Sequence, residues 1–358
     1  MSRPVFIIAE AGVNHDGSVA DALRMVDVAA EAGADAVKFQ TFDSTLLATR
    51  RAGKAAYQVR NTGADDGQLA MLRSLELDRD AHRALAARAA ERGVRFMSTA
   101  FDLDSLGFLA TLDMPAVKIP SGDLTWAAML LRAARIGRPL IVSTGMATLD
   151  EIRQALAVIA FGLTREGVPS SPAEVEAAFD DARARVLLRD RVTLLHCTTE
   201  YPASLAAVNL RAMDVMAETF GLPVGYSDHT LGATVAIAAA ARGAAVIEKH
   251  FTLDRTRPGP DHAASLEPDE LGAMVAAIRD VETALGRPRK EPAPEEIGNR
   301  AIARRSLVAA RPISAGEAFS LENLTAKRPA DGLSPMAIWT LLGRTSARNY
   351  AEDEAIEP

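Results

Sequence analysis

Eight short apolar runs, each followed by a long helical pattern, occupy most of the chain and constrain its fold more than any other feature. The runs are rich in β-branched residues, and polar or glycine residues come directly after each of them. Strands of a parallel sheet are apolar in this way because helices cover both faces of the sheet. Eight strand–helix units in about 285 residues predict an α/β fold, the (β/α)8 or TIM barrel. The predicted strands are Val5–Ala9, Ala36–Phe39, Val94–Ser98, Ala116–Ile119, Leu140–Ser143, Val192–His196, Val224–Tyr226 and Val246–Lys249.

The alternation of strands and helices stops at Gly286. Residues 286–300 are rich in proline and in charges of both signs, which is typical of a linker. Short strand-like pieces separated by turns follow. We therefore predict a barrel domain over residues 1–285, a linker over 286–300 and a small, mostly β domain over 301–358. An open, doubly wound sheet is the alternative for the first domain, although no G-x-G-x-x-G motif follows the first strand.

The composition excludes several classes of protein. Of the 358 residues, 48% are hydrophobic, which is too many for a chain that stays disordered. The formal net charge of −7 disfavours nucleic-acid binding, because such proteins need a basic face. The single cysteine, Cys197, allows no disulfide within the chain and fits a reducing compartment. With no signal-peptide pattern and no apolar run long enough to span a bilayer, we expect a cytoplasmic protein without nucleic-acid or membrane partners.

Polar side chains lie at or just beyond the end of every predicted strand. In a barrel of this type, the carboxyl ends of the strands meet at one mouth, which carries the chemistry. Lys38 and Lys118 lie within otherwise apolar runs, and a buried lysine is costly unless an anion is paired with it. Either these lysines pair with Glu10, Glu248 or Asp123 for structure, or they bind a phosphate or carboxylate together with nearby hydroxyl groups. We favour the second interpretation, with hydroxyl groups from Thr99, Ser121, Ser143 and Ser227.

Two histidines follow consecutive strands at matched positions. His229 comes after the seventh predicted strand and His250 after the eighth. Neutral imidazoles at neighbouring strand ends can bind one divalent cation and leave positions open for water and substrate. The alternative is that both only form hydrogen bonds in a polar core. We expect a metal site here, although the ligand type does not choose among Mn²⁺, Co²⁺, Zn²⁺ and Mg²⁺. The rigid turn Pro258–Pro260 that follows can direct Asp261 towards the mouth.

The motifs at these positions, taken together and in this order, resemble the family of sialic acid synthases, which includes N-acetylneuraminate synthases and legionaminic acid synthases. The resemblance covers nearly the whole chain. The motifs are FIIAEAGVNHDG (6–17), ADAVKFQTF (34–42), VKIPSGD (117–123), STGM (143–146), LHCTTEYP (195–202), GYSDHT (225–230), IEKHFT (247–252), RPGPDH (257–262) and AKRPADG (326–332).

The resemblance implies a (β/α)8 barrel followed by a small SAF domain, which is similar to type III antifreeze protein. It also implies an activity. Phosphoenolpyruvate condenses with N-acetylmannosamine or 2,4-diacetamido-2,4,6-trideoxymannose to give a nine-carbon nonulosonic acid of the N-acetylneuraminate or legionaminate type, and phosphate is released. Such an enzyme is a transferase that forms a C–C bond and uses a divalent metal, most commonly Mn²⁺, with Mg²⁺ or Co²⁺ as alternatives. The implied partners are the two substrates and a second copy of the chain in a domain-swapped homodimer.

The resemblance also implies roles for individual residues. His229 and His250 match metal-binding histidines, and Glu10 matches a carboxylate near the reacting carbons. With Lys38 and Lys118, these are the predicted catalytic residues. Arg328 of the small domain should reach the acyl group of the sugar in the partner's active site. The positions that match phosphoenolpyruvate-binding residues are Lys38, Thr99, Lys118, Ser121, Ser143 and Ser227. The positions around the sugar are Gln40, Tyr201, Glu248 and Asp261.

Two phenylalanines flank one of the predicted sugar-binding residues and bear on the choice of sugar. Phe39 and Phe42 lie on either side of Gln40 in the sequence. An apolar wall would suit a 6-deoxy sugar better than one with a free 6-hydroxyl group, because it offers that hydroxyl no hydrogen-bond partner. This pattern favours a 2,4-diacetamido-6-deoxy sugar as the substrate.

Two other functions remain open. The first is another phosphoenolpyruvate-dependent 3-deoxy-ketoacid synthase that uses a phosphorylated sugar, although the extra arginines of a second phosphate site are not identifiable. The second is a non-catalytic carbohydrate-binding protein built around the small domain, because a fold alone does not determine function.

Overall fold

Eight parallel strands close into a barrel within the described part of the chain, residues 4–63 and 67–357 of the computed structural model. Neighbouring strands pair in sequence order, and β1 pairs with β8. The predicted (β/α)8 fold is therefore confirmed, and the open sheet is excluded because its two edge strands are joined. The strands are β1 (Phe6–Gly12), β2 (Ala36–Thr41), β3 (Arg95–Ala100), β4 (Val117–Ile119), β5 (Leu140–Ser143), β6 (Val192–Cys197), β7 (Val224–Asp228) and β8 (Val246–His250).

Helices cover the outside of the barrel. They are α1 (Val19–Glu31), α2 (Ser44–Leu47), α3 (Ala56–Thr62), α4 (Gln68–Leu75), α5 (Arg79–Arg92), α6 (Leu103–Leu109), α7 (Ala127–Arg135), α8 (Leu149–Thr164), α9 (Pro172–Phe179), α10 (Ala182–Arg191), α11 (Leu205–Val208), α12 (Ala212–Phe220), α13 (Thr234–Ala241) and α14 (Pro268–Leu285), with 3₁₀ turns at Ser121–Asp123 and His262–Ala264. In α5, Asp78 caps the first turn by accepting from the amide of Ala81. Gly93 ends the helix at a φ of 73°, which glycine adopts without strain. None of the helices in the described ranges has the length and apolar content needed to cross a membrane.

The lower half of the barrel interior is apolar. On six strands, and at the residue directly before β4, one inward-facing apolar side chain meets its neighbours around the barrel. The eighth position is Gly225 on β7, where a Cβ atom would lie 2.7 Å from Leu195 Cδ2 and 2.9 Å from the Val246 amide nitrogen, so a larger residue would not fit. We call this ring the apolar layer. It consists of Ile8, Ala36, Met97, Ala116, Ile141, Leu195, Gly225 and Val246.

Residues 287–358 form a second unit with a core of its own. Two strands, β9 (Ser306–Ala309) and β10 (Leu324–Lys327), pair antiparallel, and a 3₁₀ helix spans Pro335–Thr340. The second part of the segment predicted as a linker is helical, because Pro294–Ala303 form α15, which extends three residues beyond the predicted end of the linker. This helix begins with proline at its first turn, followed by two glutamates that interact favourably with the helix dipole. The core side chains are Leu307, Ala309, Ile313, Phe319, Leu324, Leu341, Tyr350 and Ile356.

Candidate active site

A second ring of inward-facing side chains lies next to the apolar layer, towards the carboxyl ends of the strands, and it is polar. Each member follows an apolar-layer residue by two positions, and residues two apart on a strand point to the same face. All of them are buried. We call this ring the polar layer. It consists of Glu10, Lys38, Thr99, Lys118, Ser143, Cys197, Ser227 and Glu248.

Lys38 connects the two glutamates of the polar layer. Its Nζ lies 2.8 Å from Glu10 Oε2 and 3.7 Å from Glu248 Oε2, and it donates to Thr99 Oγ1 at 2.9 Å. Although burial alone lowers the pKa of a lysine, the two carboxylates outweigh it and raise the pKa of Lys38, so the ammonium group stays charged. The sequence left two alternatives for this lysine, a structural pairing with a carboxylate or binding of a phosphate or carboxylate ligand together with hydroxyl groups. The structure shows the carboxylate pairing and one hydroxyl contact, and the ligand stays a prediction.

Lys118 is less closely paired than Lys38. Its Nζ donates to Ser143 Oγ at 2.7 Å and lies 3.8 Å from Glu248 Oε1, which also accepts from Ser227 Oγ at 3.1 Å. Burial lowers the pKa of Lys118, although Glu248 opposes this shift. Burial would raise the pKa of Glu248, but Lys118 and Lys38 hold it below its usual value. Because the Lys118 ammonium group is buried with a distant carboxylate, an anion bound beside it would be stabilised.

Glu10 is the group of the polar layer best suited to exchange a proton. Burial raises the pKa of Glu10 to about 7, although Lys38 opposes the shift. Gln40 Nε2 approaches the second carboxylate oxygen at 3.5 Å. A carboxyl group whose pKa lies near the working pH can both accept and return a proton. This is the property that the predicted catalytic role of Glu10 requires.

Ser121 follows β4 and turns its hydroxyl group towards β5 and β6. Its Oγ accepts from the amide of Gly145 at 2.9 Å and lies 3.2 Å from Cys197 Sγ. A Cβ atom on Gly145 would lie 2.9 Å from Ser121 Oγ and would also meet the Thr199 hydroxyl group, so a side chain is excluded there. Ser121 is thereby joined through Cys197 to the polar layer, beside the other predicted phosphoenolpyruvate-binding residues.

The two predicted metal-binding histidines lie side by side at the mouth. The ring centroids of His229 and His250 are 5.6 Å apart, and the Tyr201 ring contacts both. His229 Nδ1 donates to the carbonyl oxygen of Thr198 at 2.6 Å. Because a carbonyl oxygen only accepts, His229 Nε2 is an acceptor, and the Tyr201 hydroxyl group donates to it at 3.0 Å. Burial lowers the pKa of His229 to about 4 and that of His250 well below its usual value, so both rings are neutral at pH 7.

The donors of this pair fit a divalent cation. His250 Nδ1 is buried and has no hydrogen-bond partner among the described residues, and Asp261 Oδ2 lies 3.8 Å from it. Within residues 4–63 and 67–357, no group of three or more His, Cys, Asp or Glu side chains is arranged to hold a metal ion. The protein would therefore supply two neutral imidazoles, and water and substrate would supply the remaining ligands. The metal and its identity stay predictions.

The residues predicted to bind a sugar lie at different depths. Tyr201 and Asp261 lie at the mouth with the histidines, and burial raises the pKa of Asp261 to about 6. Gln40 lies near the end of β2 beside Glu10. Glu248 lies deeper in the barrel, two positions before His250 on β8, in the polar layer between the lysines. Arg328 is exposed and follows β10 in the second unit, so its predicted reach into a partner's site stays a prediction.

The apolar wall predicted beside Gln40 is wrong. Gln40 points into the barrel, and side chains alternate along a strand, so Phe39 lies on the outer face of β2. Its ring is fully buried and stacks on Phe96 at a centroid distance of 6.1 Å. Phe42 packs edge-on against Phe101 in a separate apolar cluster. The two phenylalanines therefore stabilise packing outside the barrel interior and give no information about the sugar.

Two features of the site were missed by reasoning from the sequence. Cys197 was interpreted only as a small buried residue, yet it lies two positions after Leu195, and this register predicts a place in the polar layer. The helix α3 also contacts the mouth, since the Tyr57 ring lies 5.1 Å from the Tyr201 ring. The segment over residues 57–61 resembles that of legionaminic-type enzymes, but no pattern in the sequence indicates its contact with Tyr201, because α3 belongs to a long polar segment between β2 and α5.

Models of two known protein families match this chain. The NeuB family model matches residues 25–290, and the SAF domain model matches residues 304–358. The first match covers most of the barrel unit, and the second covers most of the second unit. Both matches agree with the domain types that the resemblance implies.

Named relatives match the chain over nearly its full length. It is 45% identical to the N,N'-diacetyllegionaminic acid synthase of Campylobacter jejuni, with 99% of both chains covered. It is 43% identical to the enzyme of the same name from Legionella pneumophila, with 98% of this chain and 92% of that protein covered. A solved structure of the N-acetylneuraminic acid (sialic acid) synthetase from Leptospira borgpetersenii superposes with a TM-score of 0.66 at 32% identity, covering 83% of this chain and 90% of that one.

Proposed function

Because the chain belongs to the NeuB family, we propose that it is an enzyme that condenses phosphoenolpyruvate with an N-acetylated mannosamine-type sugar. The product is a nonulosonic acid, and phosphate is released. We propose 2,4-diacetamido-2,4,6-trideoxymannose as the sugar and N,N'-diacetyllegionaminate as the product, because two relatives that cover nearly the whole chain carry that acid in their names. This choice of sugar depends on the relatives alone, since the phenylalanines lie outside the site.

The composition of the polar layer is the main structural support for this proposal. It brings two ammonium groups and several hydroxyl groups into one buried ring at the carboxyl ends of the strands. Phosphoenolpyruvate carries a phosphate and a carboxylate, and charge-assisted hydrogen bonds from ammonium and hydroxyl donors suit both groups. A buried ammonium group is costly unless an anion is close to it, and Lys118 has a carboxylate only at 3.8 Å, so an anionic ligand beside it would be stabilised. The layer therefore supports binding of phosphoenolpyruvate more specifically than it supports a purely structural role.

The first chemical step forms the carbon–carbon bond. Lys38 and Lys118 would bind the two anionic groups of phosphoenolpyruvate and orient its C3 towards the aldehyde carbon of the sugar. Tyr201 and Asp261 at the mouth would hold the sugar above it. Fixing both substrates in one orientation removes much of the entropic barrier to their reaction. The new bond joins C3 to the aldehyde carbon, whose oxygen gains a proton from solvent, and C2 becomes electron-deficient.

The second step releases phosphate. Water adds to C2, and Glu10 accepts one of its protons, which the pKa of about 7 permits near neutral pH. The ionised carboxylate also stabilises positive charge at C2 before the water adds. The bond between C2 and the bridging oxygen then breaks and the phosphate leaves with that oxygen. The hydroxyl group on C2 gives its remaining proton to the departing phosphate, and C2 becomes the keto carbon. The net reaction consumes one water molecule.

His229 and His250 would hold the divalent cation, most simply Mn²⁺, with Mg²⁺ or Co²⁺ as alternatives. When bound, such a cation supplies a Lewis acid for the carbonyl oxygen of the sugar. The neutral state of both rings and the buried His250 Nδ1, which has no hydrogen-bond partner among the described residues, support this assignment. We also propose that the chain acts as a domain-swapped homodimer in which Arg328 binds the acyl group of the sugar in the partner's site.

One experiment tests the proposed reaction. The protein is incubated with phosphoenolpyruvate, Mn²⁺ and a panel of sugars in water enriched in ¹⁸O, and products and phosphate are analysed by mass spectrometry. We expect N,N'-diacetyllegionaminate from the diacetamido sugar and phosphate without ¹⁸O, because the cleaved bond lies on the carbon side of the bridging oxygen. Labelled phosphate would contradict the mechanism. Product from a phosphorylated sugar alone would favour the other synthase class, and absence of any product with every sugar would favour a binding protein.

A further inference from the structure

The helix α3 joins two loops of the mouth, although it belongs to neither of them. The loop after β6 carries Tyr201, and the loop after β8 carries Asp261, while α3 lies in the segment after β2. Three residues on α3 contact these loops: Arg60 through an exposed ion pair, and Tyr57 and Asn61 through less exposed contacts. We call the pair Tyr57 and Asn61 the α3 clamp. It joins the segment after β2 to the loops after β6 and β8.

Asn61 connects the two loops through their backbones. Its Nδ2 donates to the carbonyl oxygen of Pro260 at 2.7 Å and to that of Tyr201 at 3.3 Å. The amide group of asparagine has two N–H donors, so it can satisfy both carbonyl oxygens at once. Asp261 follows Pro260 directly, so one amide group restrains the backbone at both mouth residues that are predicted to bind the sugar.

Tyr57 acts on the same loop through its ring. The Tyr57 ring lies 5.1 Å from that of Tyr201, and the Tyr201 ring in turn stacks on His229 at 4.1 Å. The three rings thus form a continuous column from α3 to the proposed metal site. Aromatic pairs at such distances contribute beyond the area that they bury. The column restrains the Tyr201 side chain, while Asn61 restrains its backbone.

We propose that the α3 clamp positions Tyr201 and Asp261 and thereby determines the affinity for the amino-sugar, while phosphoenolpyruvate binding is independent of it. Tyr57 and Asn61 are positioning residues, because they act through the two loops. Phosphoenolpyruvate would bind in the polar layer, and no described contact of Tyr57 or Asn61 reaches that layer. The inference rests on the proposed function for the identity of the two substrates.

The test is a set of single substitutions on α3 with steady-state kinetics for both substrates. Asn61→Ala is expected to raise the KM for the sugar about tenfold and Tyr57→Ala about fivefold, because each removes one restraint on the loops. The KM for phosphoenolpyruvate should stay within about twofold. Tyr57→Phe keeps the ring and should behave like the wild type. Arg60→Ala is the matched control. Arg60, on the same helix, also contacts the loop after β6, but through an ion pair with Glu200 at 3.0 Å whose side chains are 60% and 50% exposed, and such pairs contribute little.

Asn61→Asp separates positioning from direct binding of the sugar. Aspartate keeps the shape and an acceptor oxygen but has no N–H donor for the two carbonyl oxygens. We expect it to be at least as impaired as Asn61→Ala. Recovery of the wild-type KM for the sugar in Asn61→Asp would overturn the inference, and so would equal increases in KM for both substrates.

Hydrogen exchange tests the clamp without using the reaction. Amides in residues 198–203 and 257–262 should exchange at least about threefold faster in Asn61→Ala than in the wild type or in Arg60→Ala, because local opening follows the loss of restraints. Unchanged exchange in Asn61→Ala would overturn the clamp. Since this measurement needs no turnover, it keeps its meaning if the wild type fails to make a nonulosonic acid, a result that would overturn the proposed function instead.

Discussion

The apolar layer and the polar layer of the barrel are built by the same eight strands, two residues apart, and differ in almost every chemical property. The lower ring is made of aliphatic, alanine, methionine and glycine positions that pack against one another. The upper ring holds two lysines, two glutamates, three hydroxyl groups and a thiol, all buried. Within two residues along each strand, the barrel interior therefore changes from a packed apolar core to a charged ring. The backbone of the eight strands therefore provides the geometry of both rings. The side chains determine whether a ring stabilises the fold or binds and converts a ligand.

The energetics of the two layers differ in the same way. Burying the apolar layer is favourable by itself, at about 25 cal/mol for each Å² of apolar surface. The Lys38–Glu10 pair of the polar layer must recover the desolvation of two charges, and such pairs are often no better for stability than apolar residues of similar size. The polar layer is thus better explained by ligand binding than by stability. Substitutions in the apolar layer should therefore lower the free energy of unfolding, whereas substitutions in the polar layer should change the kinetic constants for the substrates.

The largest effect is expected at the mouth, two positions beyond the polar layer on β8. We predict that His250→Ala lowers kcat/KM at least about a thousandfold, because it removes one of the two imidazoles of the proposed metal site. EDTA should abolish phosphate release by the wild type and Mn²⁺ should restore it, whereas the variant should not recover. His196→Gln on the outer side of β6 is the control and should keep near-normal activity. Full activity of His250→Ala with Mn²⁺ would contradict the metal site.

A smaller effect is expected within the polar layer. We predict that Lys118→Ala raises the KM for phosphoenolpyruvate about a hundredfold, because it removes a charge-assisted hydrogen bond to the ligand. The KM for the sugar should change less than about threefold. The split between the two substrates, measured by steady-state kinetics, distinguishes loss of an anion site from general damage. Equal losses for both substrates would show that Lys118 supports the mouth as a whole.

The pH dependence of activity should report Glu10. Its raised pKa of about 7 means that the carboxylate able to accept a proton forms as the pH rises through that value. We therefore expect kcat/KM of the wild type to rise about tenfold between pH 6 and pH 8. In Glu10→Gln, activity should be lower and this rise should be lost. A rise that persists in the variant would assign the titration to another group.

The same shift has a consequence for stability. Because the pKa of Glu10 is raised from 4.5 to about 7 on folding, the folded state binds the proton more tightly. The stabilisation is fully present below pH about 4.5 and is lost as the pH rises through about 7. Urea unfolding at pH 5 and pH 8 should therefore show a greater loss of stability in the wild type than in Glu10→Gln. Parallel losses in both proteins would contradict the raised pKa.

The smallest effect on activity is expected in the apolar layer. Leu195→Ala should lower the free energy of unfolding by about 2–5 kcal/mol, because it leaves a cavity beside Gly225. Both KM values should stay within about twofold at a temperature where the variant is folded. Leu195→Met, which conserves volume, should lower stability by less than about 1.5 kcal/mol. A large change in the KM for phosphoenolpyruvate in Leu195→Ala would contradict the assignment of a purely structural role to the apolar layer.

The fold and most of the polar layer could be predicted from the sequence, because both follow from periodicity. Each apolar run predicted a strand, and the residues at strand ends had to meet at one mouth. The prediction for Phe39 was wrong, although the alternation of side chains along a strand, which predicts the polar layer, also predicts where Phe39 points. Once Lys38 and Gln40 are assigned to the inner face, alternation requires Phe39 to point outward. The error came from treating neighbours in sequence as neighbours in space.

Other parts of the site could not be predicted, because they depend on long-range contacts. Asn61 and Tyr201 lie 140 residues apart, and no periodic pattern relates them. The described residues between β2 and α5 form three helices, and the position of α3 over the mouth follows from its contacts with two other loops. The pairing of Lys38 with Glu10 was one of two open alternatives, and only a distance of 2.8 Å between their charged atoms established it.

The most direct test of the role assigned to the polar layer is a crystal structure of the protein with phosphoenolpyruvate bound. The account predicts that the phosphate and carboxylate oxygens lie within hydrogen-bond distance, about 2.7–3.2 Å, of Lys38 Nζ, Lys118 Nζ and the hydroxyl groups of the ring. Phosphoenolpyruvate bound elsewhere, with both lysines still paired only to Glu10 and Glu248, would contradict it.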